Sequence, residues 1–435
     1  MEDPRAIIAR EPMHYRQIIA IGIATALNAL DGFDVLSISF AAPGIAKDWG
    51  IDRAALGLVL SMELFGMGIG AFILGSLADK IGRRPTLLAC LVIMGAGMFL
   101  ASTATSVPVL SVYRLFTGLG IGGMLAATNA VVAECSNARR RNLTVAIMAG
   151  GYPMGAIVGG SIASMLLGAT GHWQSVFEFG AVITLCFIPL VLWLVPETMA
   201  FLLLRRPANA LEKINRTLVK QNRQPLAALP PVDPAKKRTS VAALFAPGLA
   251  SVTVLLTAVC FFHMMTFYFL VKWIPKIVVD LGFAPASAGG VLVWANVGGA
   301  IGSVVVSLLS QKVGIRPLVV ASMVLGAGAV MLFGQGFTTL SGLSLIACVA
   351  CFFLNAAIAG FYAVIAQSYP AALRGGGTGL VIGVGRAGAA LGPIVAGVLF
   401  SSGWALAPVA MTLACGTLIA AVALSLVRYR ETAIA

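Results

Sequence analysis

Asp31 and Asp34 stand three residues apart inside an apolar run from Ile18 to Pro43. On a helix that spacing puts both carboxylates on one face. The run is long enough to cross a bilayer, which takes about 20 mostly apolar residues, so the face must turn to protein or to a water-filled cavity. An aspartate at a membrane centre costs roughly 2.5 to 3.5 kcal/mol. The pair has two possible uses, interhelical hydrogen bonding and proton carriage. Two carboxylates one turn apart are a costly way to glue helices, which favours the second.

Other charged residues fall at similar depth. Arg386 lies about ten residues into an apolar stretch that starts near Gly377, and at about 1.5 Å per residue this places it close to mid-membrane. Its guanidinium needs an anion, either a buried acid or the carboxylate of a substrate, which its planar fork suits. His263 lies midway along another stretch, followed by Thr266, Tyr268 and Lys272. A histidine there serves packing or substrate contact, and a tyrosine facing a cavity would stack on a ring. Lys272 either snorkels or guards the far mouth. Arg114 has Glu63 at similar depth, where ion pairing and proton transfer both fit. Asn296 and Asn355 suit packing hydrogen bonds, with Asn296 a further substrate contact. In the short turn Asp79-Lys80-Ile81-Gly82-Arg83-Arg84, acid and base can pair across helix ends, with Glu134 as a partner from another helix. Such a network either anchors the positive side or acts as a gate.

The elements that must position these residues are helices in lipid. Of 435 residues 59% are hydrophobic and 10% charged, far below the roughly one-quarter charged fraction of soluble domains. Twelve apolar stretches follow one another, at about 18–42, 55–78, 86–105, 108–133, 143–169, 175–195, 249–274, 287–310, 317–337, 341–367, 377–400 and 404–427. The net charge of +13 does not point to nucleic acid. Most Lys and Arg fall on the side of the N-terminus, among them Arg139 to Arg141, Lys236, Lys237, Arg238, Arg428 and Arg430, while Lys47, Arg53 and Lys276 fall opposite. Both termini are therefore expected in the cytoplasm. The polar, proline-broken stretch 199–247 separates a six-helix half, 1–198, from a second, 248–435, and its Leu211, Ile214 and Leu218 suit a helix in the headgroup region or a solvated linker helix.

An internal repeat supports the division. Gly75-Ser-Leu-Ala-Asp79-Lys80-Ile-Gly82-Arg83-Arg84-Pro85 recurs, degraded, as Ser307-Leu-Leu-Ser-Gln311-Lys312-Val-Gly314-Ile-Arg316-Pro317. Gly66 and Gly70 overlay Gly298 and Gly302, giving the second span of each half a small-residue face. Seven cysteines carry no metal-ligand spacing with His or acids, so neither a disulfide framework nor a metal site is expected. No strand precedes the glycine runs Gly66 to Gly70 and Gly118 to Gly123, and there is no P-loop; a gradient must drive any transport.

These residues resemble the major facilitator superfamily over nearly the whole chain. The loop Gly75 to Arg84 is similar to its signature between helices 2 and 3, with Lys80 where Arg is commoner. Asp31-Gly32-Phe33-Asp34 resembles the mark of the aromatic acid:proton symporter family. Arg114 with Gly118, Gly120 and Gly122, Pro196-Glu197-Thr198, Trp273-Ile-Pro275 and Gly385-Arg386 support the match. The resemblance implies an all-α fold of two six-helix bundles in a bacterial inner membrane, importing hydroxybenzoate-type carboxylates with protons by alternating access. Asp31 or Asp34 would carry the proton, its charge state switched by burial and by the approach of Arg386 or water. Arg386, His263, Tyr268, Asn296 and Phe33 would contact the substrate, and Asp79, Lys80, Arg83, Arg84 and Glu134 would gate. Such a chain is expected to be no enzyme, to need no cofactor beyond the proton gradient, to bind no nucleic acid and to work as a monomer. Rival readings are transport of another organic anion, proton-driven drug efflux and a non-transporting sensor. Against efflux, Gly151 to Gly160 lacks a proline after Gly155. A sensor would be expected to carry a large regulatory domain or tail beside the spans.

Overall fold

The computed structural model describes residues 4–207, 209–230, 241–247, 249–370 and 373–427. Lys236, Lys237, Arg238, Arg428 and Arg430 lie outside the described residues. The described regular structure is helical: α1 (Pro4–Arg10), α2 (Tyr15–Trp49), α3 (Arg53–Ile81), α4 (Arg83–Ser102), α5 (Val107–Cys135), α6 (Arg141–Thr170), α7 (Gln174–Leu194), α8 (Met199–Arg205) and α9 (Ala210–Lys220). After a 3₁₀ turn at Val241–Phe245 come α10 (Ala250–Asp280), α11 (Pro285–Leu309), α12 (Ile315–Phe333), α13 (Leu340–Ser368), α14 (Arg374–Ser401) and α15 (Leu406–Leu426). Twelve of these are long and apolar enough to cross a membrane. In a bilayer only a helix satisfies its own backbone polar groups, so hydropathy locates the elements well.

Two spans outrun their apolar stretches. The first continues past Pro43 to Trp49, because tertiary contacts hold its last turns: Trp173 Nε1 donates to Asp48 Oδ2 at 2.9 Å, and the Trp49 and Trp173 rings meet edge to face at 5.5 Å. The seventh continues past Pro275 to Asp280, where Arg53 pairs with Asp280 at 3.1 Å and Trp273 Nε1 donates to the Pro393 carbonyl at 3.2 Å. Membrane helices tolerate an internal proline where neighbours satisfy the freed groups.

The repeat is a packing repeat. Gly66 and Gly70 of α3 press on the backbone of α5 at Leu115 and Leu119, where a Cβ would collide with carbonyl oxygens. Gly298 and Gly302 of α11 do the same to Cys348 and Phe352 of α13. The small-residue faces thus bring the second and fourth spans of each half to backbone contact.

By contact the chain forms two compact units. One comprises Met1–Ser37, Phe65–Gly159 and Gln174–Lys236, with α4 packed on α5 and α7. The other comprises Ile38–Leu64, Gly160–Trp173 and Lys237–Ala435, with α10 packed on α14 and α15, and α13 on α11 and α12. In the first unit, Ile214 and Leu218 of α9 are buried in an apolar cluster with Ile8 of α1 and Phe201 and Leu202 of α8. The apolar face of α9 is therefore covered by protein.

Candidate functional site

Gly32 sits between the two aspartates, so close to the Tyr152 carbonyl of α6 that a Cβ would collide with it. Gly155 meets Ala29 in the same way, so α2 and α6 cross at backbone contact. On the same helix Asp31 (1% exposed) and Asp34 (0%) are buried. Arg114 of α5, itself fully buried, donates from Nη2 to the Asp34 backbone carbonyl at 3.0 Å. Its guanidinium lies 5.3 Å over the Phe177 ring, and Nη1 is 3.1 Å from Met98 Sδ. Asp34 Oδ1 lies alongside Gly180 of α7.

Glu63 forms an ion pair with Lys272, at 3.3 Å and with no exposed surface on either side chain. Lys272 therefore does not snorkel. Phe33 is also placed differently from the expectation. Its ring is 3% exposed, packs on Gly159 and meets Phe179 edge-on at 5.4 Å, which leaves it no face for a ligand. His263 is buried, with Nε2 3.1 Å from the Leu354 carbonyl and Nδ1 3.3 Å from Thr417 Oγ1, so both ring nitrogens are engaged by protein. That is the packing role. Asn296 and Asn355 each donate to the carbonyl one turn earlier, Leu292 at 2.8 Å and Cys351 at 3.0 Å.

Arg386 of α14 is half-buried and has neither a hydrogen bond nor an ion pair among the described residues. It lies within electrostatic reach of Cys260 of α10 and Tyr362 of α13, and Tyr362 is likewise within reach of Tyr268. Gly385 leaves room for Cys260 against the helix backbone, which brings α10 and α14 together at this level. One guanidinium and two phenols are the groups that recognise a carboxylate and ring hydroxyls. Tyr362 was missed in the sequence. The available signal was its spacing, two turns after Asn355 on the same helix.

At the turn between α3 and α4, Arg83 pairs with Asp79 at 2.7 Å and with Glu134 of α5 at 2.9 Å. Lys80 is exposed, and Arg84 donates to the Leu192 carbonyl. Glu197 completes the turn and was read only as part of Pro196-Glu197-Thr198. Its carboxylate accepts from the backbone N–H groups of Arg83 (2.9 Å), Arg84 (3.3 Å) and Thr198 (3.0 Å), capping the start of α4. Gly82, with φ of 115°, supplies the backbone geometry and the space for that carboxylate.

Twelve helices of spanning length, with Asp31, Asp34, Glu63 and Arg114 buried within them, define a multi-pass membrane carrier. Residues 24–354 and 255–434 match the family model described as Major Facilitator Superfamily. The chain belongs to the Major Facilitator Superfamily and is a transport protein. It is 30% identical to the 3-(3-hydroxy-phenyl)propionate transporter of Escherichia coli, covering 96% of each chain. It is 29% identical to the 4-hydroxybenzoate transporter PcaK of Pseudomonas putida, over 92% of this chain and 90% of that one. With the gallate transporter of Pseudomonas putida the identity is 30%, over 94% and 91%. The crystal structure of a D-xylose–proton symporter superposes with a TM-score of 0.73 at 18% identity, covering 94% of this chain and 97% of that one, and shows the shared fold.

Proposed function

We propose that this protein imports a hydroxylated aromatic carboxylate together with protons across the bacterial inner membrane, by alternating access of two six-helix halves, 1–198 and 248–435. The observation that carries the reading is Arg386: half-buried at mid-span, without an acid partner among the described residues, and near Tyr362, which in turn lies near Tyr268. The relatives' names, all aromatic acid transporters, support the substrate class. In this reading Arg386 takes the carboxylate and the phenols take ring hydroxyls. Asp31 and Asp34 hold the coupling proton, with Arg114 the cation that replaces it when it leaves. The Asp79–Arg83–Glu134 network latches the side that the basic bias assigns to the cytoplasm. The halves need no cofactor beyond the proton gradient, and a monomer suffices.

The test is uptake into proteoliposomes of a labelled panel containing benzoate, 4-hydroxybenzoate, gallate, a 3-hydroxyphenylpropionate and aliphatic acids, with and without an imposed inward proton gradient. Gradient-dependent accumulation of hydroxylated aromatic acids above the aliphatic ones is expected. Accumulation indifferent to the gradient, or favouring aliphatic acids, overturns the reading.

A further inference from the structure

A cavity of about 920 Å³ lies among the start of α2, the turn between α3 and α4, the end of α7, and helices α8 and α9. Seven cationic side chains line it against one acid, Glu197. Lys213, Arg216 and Lys220 recur at helical spacing and so share one face of α9. The opposite face, Ile214 and Leu218, is fully buried against α1 and α8, so apolar packing fixes which way the basic face is presented. Arg16, Lys80, Arg84 and Arg205 complete the lining.

The charge is not balanced from within. Glu197 is occupied by three backbone amides, and burial holds its carboxyl above the ordinary carboxylate range. Arg84 and Arg205 donate to the carbonyls of Leu192 and Asp79. Lys80, Lys213, Arg216 and Lys220 have no hydrogen-bonded or ion-paired side-chain partner among the described residues. Holding so many cations around one concave space favours a multiply charged or phosphate-bearing anion. The rim identifies its kind. Leu192, Trp193 and Leu194 end a membrane span and line the cavity while remaining exposed, Trp193 at 82%. Ile19 and Ile81 add further exposed apolar surface. A soluble phosphate has no use for an apolar rim at the end of a membrane span, whereas a lipid needs both parts.

We propose that this cavity binds the phosphate headgroup of an anionic phospholipid, with the acyl chains leaving along Trp193 and Leu194 into the bilayer. The lipid ties α9 and the stretch after it to the α3–α4 turn, so its occupancy bears on the same turn that carries the Asp79–Arg83–Glu134 pairs. The site is independent of which solute is carried.

The full-length protein, reconstituted in phosphatidylcholine with increasing phosphatidylglycerol carrying brominated acyl chains, reports lipid contact by tryptophan quenching. The difference between wild type and Trp193→Phe isolates the signal at the rim. Phosphatidylglycerol should displace phosphatidylcholine at Trp193 with a selectivity of at least about fivefold, one surface cation's worth near an anionic headgroup. The triple change Lys213→Gln, Arg216→Gln, Lys220→Gln should abolish it, and Lys213→Arg with Lys220→Arg should retain it. Lys312→Gln, a basic residue outside the cavity, should leave it unchanged. Equal quenching by both lipids, an unaffected triple variant, or an equal loss in Lys312→Gln overturns the proposal. Complete competition by excess inorganic phosphate, with no lipid selectivity left, identifies a soluble phosphate site and overturns the lipid assignment.

Discussion

Glu63 of α3 and Lys272 of α10 are paired at 3.3 Å with no exposed surface on either side chain. Two charges buried together recover their lost hydration only through one another and their neighbours, so losing one partner is far worse than losing both. Glu63→Gln or Lys272→Met alone should destabilise the protein by about 3 to 5 kcal/mol. The double change should recover most of that loss. Thermal unfolding of the purified variants reads this directly, and a double variant no better than the singles shows that the two charges are not chiefly compensated by one another.

Asp31 and Asp34 share one enclosed face of α2, with Arg114 bonded to the Asp34 carbonyl at 3.0 Å. Asp31→Asn and Asp34→Asn keep shape and remove titration. Proton-driven accumulation should collapse while substrate exchange at equal pH persists. If both single variants still concentrate substrate under a pH gradient as wild type does, these acids do not couple.

Arg386→Lys preserves the charge and removes the planar fork. Binding of the aromatic acid to purified protein should weaken by about 2 kcal/mol or more, roughly thirtyfold, with folding intact. Tyr362→Phe should reduce affinity for hydroxylated acids more than for benzoate. Unchanged affinity in a well-folded Arg386→Lys variant removes the arginine from the substrate site.

Asp79 holds Arg83 at 2.7 Å, whereas Gln311, its counterpart in the repeat, is an exposed residue without a charge to offer. Asp79→Asn should move the resting population towards the inward-facing state, lowering labelling of cysteines placed at outward-accessible positions. Gln311→Ala should change little. Equal labelling in wild type and Asp79→Asn would show that the pair is not a latch.

Glu197 caps the start of α4, and burial raises its pKa above the ordinary 4.5. A carboxyl that binds its proton more tightly in the folded state contributes most at low pH. That contribution is lost as pH rises from the ordinary value through the raised one. Glu197→Gln should flatten this slope and, by putting an amide N–H where an acceptor served the backbone, cost about 1 to 3 kcal/mol. Melting curves across that pH window test both parts.

The twelve spans, the small-residue repeat and the family were legible in the residues themselves. The reason is that lipid leaves the backbone few options and makes each buried charge conspicuous. Asp31, Asp34 and Arg386 stood out on those grounds alone. What the residues could not specify was partnership, because side chains at equal depth on several helices are interchangeable until packing chooses among them. Tertiary structure paired Glu63 with Lys272, set Arg114 on Asp34, and buried the Phe33 ring against Gly159. It also satisfied both nitrogens of His263 and turned Glu197 from a motif letter into a helix cap. The ends of the first and seventh spans were decided there too, since Trp173 and Arg53 hold turns that lie beyond the apolar stretches. Hydropathy reports what each residue prefers as surroundings, and only the packed helices determine which neighbour supplies them.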